Sequence, residues 1–202
     1  MPSPGRKAQR LGVFGGTFDP PHVGHLVTAV NVRHALGLDR VLLVVANVPW
    51  QKADRRTISA GEDRLAMVQA AVGDVEGLAA SDEEIRRGGP SYTADTLAAL
   101  RRQDPKRELF LVLGSDAAAG LASWEHAERL QDLASIVVVD RPGGQSTTLP
   151  DGFRGVRVEV PRLEVSSTDL RDRVRTGRPL DYLLTPSVIS CIAQRGLYRW
   201  AE

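Results

Sequence analysis

Three runs of consecutive apolar residues constrain this chain more than any other feature: VLLVV at 41–45, LFLVLG at 109–114 and IVVVD at 136–140. A run with no polar residue at alternate positions suits a strand covered on both faces, the environment of a parallel sheet flanked by helices. A shorter run, LGVF at 11–14, stops at Gly15-Gly16; VRVEV at 156–160 alternates like a strand with one exposed face, and a weak strand lies within GLAASDEE. Between them fall helical patterns. HLVTAVNVRHALG stops at Gly37, and AGEDRLAMVQAAV is opened by Ser59 and Glu62 at capping-box spacing. SYTADTLAALRRQDP ends at Pro105, and HAERLQDLA follows. DLRDRVRTG comes after a second capping pair, Ser166 and Asp169, and SVISCIAQRG runs from Thr185-Pro186 to Gly196.

Strands alternating with helices predict the α/β class: a Rossmann-like, doubly wound, mostly parallel sheet with helices on both faces and a small C-terminal helical extension. Ligands of such sheets bind at the carboxyl ends of the strands, near the point where strand order reverses. The loops after LGVF, VLLVV and LFLVLG are therefore the places to look. The length, 202 residues, suits one domain over 11–202 after a disordered lead at 1–10. No internal repeat or linker divides it, and RPGGQSTTLPDG is the best candidate for a long loop.

With 42% hydrophobic residues, 25% charged residues and a net charge of +1, the composition is that of a soluble globular protein. Such a balance carries no footprint for nucleic acid or an anionic membrane, so neither is expected as a partner. No apolar run is long enough to span a bilayer, and the polar, basic N-terminus lacks the apolar segment of a secretory signal. The lone Cys191 excludes an internal disulfide and sits in an apolar stretch as a small core residue. These features point to the cytoplasm. Lys7, Lys52 and Lys106 are the only lysines, which singles out Lys52 in NVPWQK, although a solvated loop lysine would look the same.

The most informative segment is GVFGGTFDPPHVGH. Gly15 and Gly16 follow a strand directly and, lacking Cβ atoms, let backbone N–H groups approach a ligand. Thr17 adds a hydroxyl, and Pro20 and Pro21 stiffen the loop. His22 and His25, three apart, share one face of a first helical turn, and Gly24 between them leaves room. A helix start favours anions. Together these features point to phosphate. The glycines, at 12, 15 and 16, do not form the dinucleotide fingerprint, no Gly-Lys-Ser/Thr follows as in a P-loop, and nothing completes a zinc site at familiar spacing.

GGTFDPPHVGH resembles the signature of the nucleotidyltransferase superfamily that carries an H-x-G-H motif, and SSTDLR at 166–171 resembles its second mark, S-S-T-x-x-R. Within that superfamily, the chain from about Leu11 to its last helix resembles bacterial nicotinate mononucleotide adenylyltransferase. SYTADTL is similar to its S-Y-T-x-D-T-L element, LGSDAAAGLASW to its G-x-D…W element, and NVPWQK to its acceptor loop, with Trp50-Gln51-Lys52 where other members carry P-P-H-K. The ending LTPSVISCIAQRGLY is similar to its terminal helix.

The resemblance implies transfer of AMP from ATP to nicotinate mononucleotide, giving nicotinate adenine dinucleotide and pyrophosphate in NAD biosynthesis. His22, His25 and Arg171 would be the catalytic residues. Gly15, Gly16, Thr17, Phe18, Ser167 and Thr168 would join them in holding ATP, with Arg171 on the β- and γ-phosphates. Lys52, Ser91, Tyr92, Thr93, Asp116 and Trp124 would hold the acceptor: Trp124 on the pyridine ring, donors near Tyr92 and Thr93 on the carboxylate, Asp116 on a ribose and Lys52 on the phosphate. Magnesium would arrive with ATP, and no protein ligand to it is assigned. The attacking phosphate is already ionised, so neither a general base nor a covalent intermediate is needed.

Other readings are a transferase acting on phosphopantetheine or, with CTP, on glycerol 3-phosphate, although such enzymes are typically shorter and lack S-Y-T-x-D-T-L and LASW. A non-catalytic nucleotide sensor on the same fold is another. A class I aminoacyl-tRNA synthetase fragment shares H-x-G-H, but the length and the missing lysine-rich signature speak against it. The sequence leaves the oligomeric state open, a homo-oligomer included.

Overall fold

The computed structural model describes residues 8–48, 58–140 and 148–199. Six strands form one sheet: β1 (Arg10–Gly16), β2 (Arg40–Val45), β3 (Leu78–Ser81), β4 (Glu108–Gly114), β5 (Ser135–Asp140) and β6 (Gly155–Glu159). Their order is β3-β2-β1-β4-β5-β6, and every pairing is parallel. The chain builds outward from β1 to β3, returns to the other side of β1, and builds outward again. Strand order therefore reverses between β1 and β4. There β1 pairs with β2 as far as Gly16↔Val45, but with β4 only as far as Val13↔Leu111. Beyond Val13 the two central strands part and open a crevice at their carboxyl ends.

Eight α-helices lie on the two faces among the described residues. One face packs α1 (Val23–Ala35), α2 (Gly61–Val72), α7 (Ser167–Arg175) and α8 (Pro186–Gln194), through Ala29, Val32, Met67, Val68, Leu170 and Val188. The other packs α4 (Thr93–Gln103), α5 (Ser115–Ala119) and α6 (Leu130–Leu133), through Ala94, Leu97, Ala118 and Leu130. The short α3 (Glu83–Arg87) links β3 to this second layer. Val41, Leu43 and Val45 join the first core while Val44 joins the second, which is why this run needs no polar residue.

Several local expectations hold. Ser166 caps α7 by accepting from the Asp169 N–H at 3.2 Å, and Thr185 caps α8 by accepting from the Val188 N–H at 3.3 Å, with Pro186 in the first turn. Gly37, at φ +56°, follows α1 in the left-handed conformation that its lack of a Cβ permits.

Others are corrected. Gly15 and Gly16 do not stop β1 but belong to it, because ladder bonds to β2 hold them extended. Ser59 does not cap α2; Ala60 is the cap residue, and the Ser59 backbone is engaged by tertiary partners described below. HAERLQDLA is only a 3₁₀ turn at Ala127–Arg129 followed by one turn of α6, because His126 takes φ +56°. Val156 in β6 is 46% exposed, so only Val158 and Val160 of the alternating set reach the core. Residues 1–7, 141–147 and most of the acceptor loop, 49–57 with Lys52, lie outside the described residues.

The end of the chain returns to the sheet. Arg195 pairs with Asp63 of α2 at 2.6 Å, and the Tyr198 hydroxyl donates to Asp19 Oδ1 at 2.8 Å. Burial, with the Asp19 carboxylate beside it, pushes the Tyr198 phenol above its ordinary pKa and keeps it a donor. Asp19 is only 1% exposed. Tyr198→Phe is therefore expected to cost about 1.5–3 kcal/mol, the range for a hydrogen bond to a charged group, read as a lower urea midpoint at unchanged slope.

Candidate active site

Two cavities open at the crevice. The larger, about 750 Å³, lies between the loop after β1, the start of α5 and the segment 160–168; Phe18, His22, His25, Asp116, Ser167 and Thr168 line it. The smaller, about 260 Å³, lies between the ends of β1, β2 and β4 and the start of α4; Gly15, Ser91, Tyr92, Thr93, Trp124 and Glu84 line it. Phe14, Gly16, Thr17, Gly114 and Ala117 line both, so the two compartments share a wall.

Two signatures distant along the chain meet at the larger cavity. The Ser167 hydroxyl donates to the Pro20 carbonyl at 2.8 Å, and Arg171 Nη1 donates to the Asp19 carbonyl at 2.7 Å. These bonds hold the start of α7 against the loop that begins α1.

In that loop, His22 is the cap residue of α1 and His25 is its third helical residue. The His22 backbone N–H donates to His25 Nδ1 at 3.0 Å. A backbone N–H can only donate, so Nδ1 is the unprotonated nitrogen and Nε2 carries the proton. The two imidazoles stack with centroids 3.7 Å apart, and Phe18 meets His25 edge-on at 5.0 Å. His22 Nδ1 is buried with no hydrogen-bond partner among the described residues, and burial lowers the His22 pKa from 6.5 to about 4. Both histidines line the larger cavity, His22 as a neutral imidazole and His25 with its proton on Nε2.

Because the folded His22 binds its proton less readily than the unfolded chain does, acid favours unfolding. The His22 contribution to stability is complete above pH 6.5 and declines as pH falls towards about 4. His22→Asn is expected to flatten that part of the stability–pH curve measured by urea unfolding.

The glycines differ in purpose. A Cβ on Gly16 would lie 2.7 Å from the Phe18 ring, which the left-handed backbone at Phe18 (φ +51°) turns beneath it. A Cβ on Gly24 would meet His22 Nδ1 and Val165, each at 3.1 Å, so the room at Gly24 is already taken by these side chains. A Cβ on Gly15 would touch nothing within 4 Å, although Gly15 lines the smaller cavity. Gly15→Ala should therefore leave the melting temperature within about 2 °C, yet raise the acceptor KM several-fold; Gly16→Ala should lower the melting temperature by about 4 °C or more, the effect of roughly 1–3 kcal/mol of overpacking.

The expected residues fall into these compartments with four differences, the first being Gly15, which was expected at ATP but lines the smaller cavity and not the larger. Asp116 lines the larger cavity, not the one with Ser91, Tyr92, Thr93 and Trp124, because the first turn of α5 faces α7. Arg171 is 7% exposed, lines neither cavity, and also donates to Thr168 Oγ1 at 3.1 Å. Lys52 lies outside the described residues. Ser91 Oγ is already engaged, accepting from the Asn47 N–H at 2.8 Å.

Sequence reasoning missed Arg64. This guanidinium, 1% exposed, donates to four carbonyls: Ser59 at 2.8 Å, Thr17 at 3.0 Å, Ala46 at 2.5 Å and Asn47 at 3.0 Å. It ties the loops after β1 and β2 to the start of α2. The signal was present, because Arg64 stands in register with Met67, Val68 and Ala71, at core positions of the helical period. Glu84 was missed too. It is 6% exposed and accepts from Thr96 Oγ1 at 2.6 Å beside the smaller cavity; in sequence it read as the tail of a strand.

Among the described residues, no group of three or more His, Cys, Asp or Glu side chains could hold a metal ion, and no helix is long and apolar enough to cross a membrane.

The family model described as cytidylyltransferase-like matches residues 13–173. A relative from Saccharopolyspora erythraea, named "Probable nicotinate-nucleotide adenylyltransferase", is 43% identical over 96% of this chain and 91% of its own. One of the same name from Streptomyces coelicolor is 46% identical over 92% and 99%. The fold is similar to that of the Plasmodium falciparum nicotinic acid mononucleotide adenylyltransferase complexed with NaAD, with TM-score 0.74, 17% identity, and 94% and 97% of the two chains covered. The range matched by the family model spans both the H-x-G-H loop and the late helix that meet in space, and the chain belongs to the nicotinate-nucleotide adenylyltransferases of the cytidylyltransferase-like family.

Proposed function

We propose that the two compartments hold ATP and nicotinate mononucleotide side by side, and that AMP passes directly between them. The observation that carries this reading is the shared wall of Phe14, Gly16, Thr17, Gly114 and Ala117. The larger compartment has the imidazole N–H groups and the α7 start that suit a triphosphate. The smaller has an aromatic ring, Trp124, and the N–H groups of the α4 start at Tyr92 and Thr93, which suit a flat, carboxylate-bearing ring.

A phosphate oxygen of the mononucleotide attacks the α-phosphorus of ATP. That P–O bond forms as the bond to the β-phosphate oxygen breaks, and pyrophosphate leaves. The nucleophile is already an anion, so the protein's task is to align two anions and to meet charge that grows on the α-phosphoryl oxygens. His25 Nε2–H is the fixed donor for that charge, oriented by the His22 N–H on its other nitrogen. His22, kept neutral by burial, adds a second imidazole without bringing a competing cation into the stack. Arg171 holds the loop carbonyl of Asp19 and the hydroxyl of Thr168, and so orients the donors that reach the β- and γ-phosphates. Asp116 lines the same compartment, which supports a role toward a ribose hydroxyl. Magnesium would arrive with ATP and offset the charge of its phosphates. The reaction needs no membrane or nucleic acid and suits the cytoplasm.

The test is pyrophosphate release from MgATP offered nicotinate mononucleotide, nicotinamide mononucleotide, phosphopantetheine and, with CTP, glycerol 3-phosphate. Turnover on the first at least tenfold above the rest is expected, because an amide NH₂ would face donors and leave them unpaired. Preferred turnover on any other acceptor would overturn the assignment.

A further inference from the structure

The larger cavity holds a shortage of positive charge. Its acidic side chains are Asp19 and Asp116. Its histidine His22 is neutral well below pH 7, and His25 accepts a backbone hydrogen bond at Nδ1. Arg171 is buried against Asp19 and Thr168 and does not line it. Among the described residues, the arginine or lysine that lines this cavity is Arg162 alone.

Arg162 sits on a segment fixed at both ends. Val160, 4% exposed, donates its N–H to the Asp140 carbonyl at 3.1 Å. Val165 packs where a Cβ on Gly24 would lie, beside His22. Pro161, immediately before Arg162, restricts its own backbone. Arg162 is thus held in the wall of the cavity that the imidazoles also line, on a short, anchored span. Its recorded partner is Glu164, two residues on, and both side chains are more than half exposed. A pair of that kind contributes little and is readily exchanged for a better anion.

We propose that Arg162 is a phosphate-binding residue of this site, which leaves Glu164 to grip the β- and γ-phosphates of the bound triphosphate and the pyrophosphate that departs. A guanidinium meets two phosphate oxygens with parallel bonds, which an imidazole cannot do. Glu164 then acts as its counter-ion in the empty site. The inference rests on the reading of the larger compartment as the ATP site.

The experiment measures dissociation constants of MgATP, AMP and inorganic tripolyphosphate by calorimetry for the wild type, R162A, R162K and E164Q. R162A should weaken MgATP and tripolyphosphate by about tenfold or more, the scale of a lost charge-assisted pair, and leave AMP within about twofold. R162K, which keeps the charge but not the fork, should lose less. E164Q should bind tripolyphosphate as tightly as the wild type or more tightly. Unchanged tripolyphosphate binding in R162A, or equal weakening of AMP and MgATP, would overturn the proposal. Because tripolyphosphate needs no acceptor and no turnover, this outcome is separate from the assay of the proposed reaction.

Discussion

His25→Ala is expected to lower kcat for pyrophosphate release by about 10²–10³-fold, the loss seen when one preorganised transition-state donor is removed. The size of the effect follows from how the ring is held. His25 Nδ1 takes the His22 N–H at 3.0 Å, the imidazole of His22 covers one face at 3.7 Å, and the edge of Phe18 lies 5.0 Å away. No reorganisation is needed for Nε2–H to meet a developing charge. The alanine variant also loses the acceptor of a helix-start N–H, worth about 1 kcal/mol of stability. His25→Gln separates the two effects. Glutamine at this position can accept from the cap N–H as in a capping box, so stability should return while kcat stays low. Thermal unfolding beside steady-state kinetics reads both. A folded His25→Ala protein with near-normal kcat would remove His25 from the mechanism.

Arg64→Ala has the largest expected effect on stability, about 3–5 kcal/mol, the scale on which a buried charged network is broken. Four carbonyls lose their donor together, and water is excluded from a position 1% exposed. Burial lowers the Arg64 pKa while the Asp19 carboxylate raises it, so the charge is held by its surroundings and not by solvent. Asp19 in turn accepts from Tyr198 and, through its backbone, from Arg171. One substitution therefore loosens the loops after β1 and β2 and the anchor of α7 together. Arg64→Lys, with three donors and no planar fork, should recover part of the loss. Equilibrium urea unfolding checks this, and a loss below about 1 kcal/mol in Arg64→Ala would contradict it.

The fold was legible where one physical constraint dominated. Runs such as VLLVV can only be strands covered twice, and the reversal of strand order then locates the crevice. The two signatures were legible by their resemblance to a known superfamily, and the first also because glycines, imidazoles and a helix start have few structural uses in combination. The failures share a cause: tertiary partners outweigh local propensity. Ser59 had cap spacing, but its N–H lies near Asp19 and its carbonyl takes Arg64. Gly15 and Gly16 looked like a stop, but the ladder to β2 continues through them. Asp116 was read into the acceptor set but lines the larger cavity, since a five-residue helix has too little periodicity to say which way its first turn faces. The roles of Arg64 and Asp19 needed the fold itself, because their partners lie up to 179 residues away in sequence.

The central claim is that the early loop and the late helix together form one seat for a triphosphate, beside a separate seat for the acceptor. A crystal structure with a non-hydrolysable ATP analogue and nicotinate mononucleotide tests it most directly. The expected result is the α-phosphate within hydrogen-bond distance of His25 Nε2, the outer phosphates against the start of α7, and the pyridine ring on Trp124. A triphosphate bound away from the stacked imidazoles, or both ligands competing for one compartment, would contradict it.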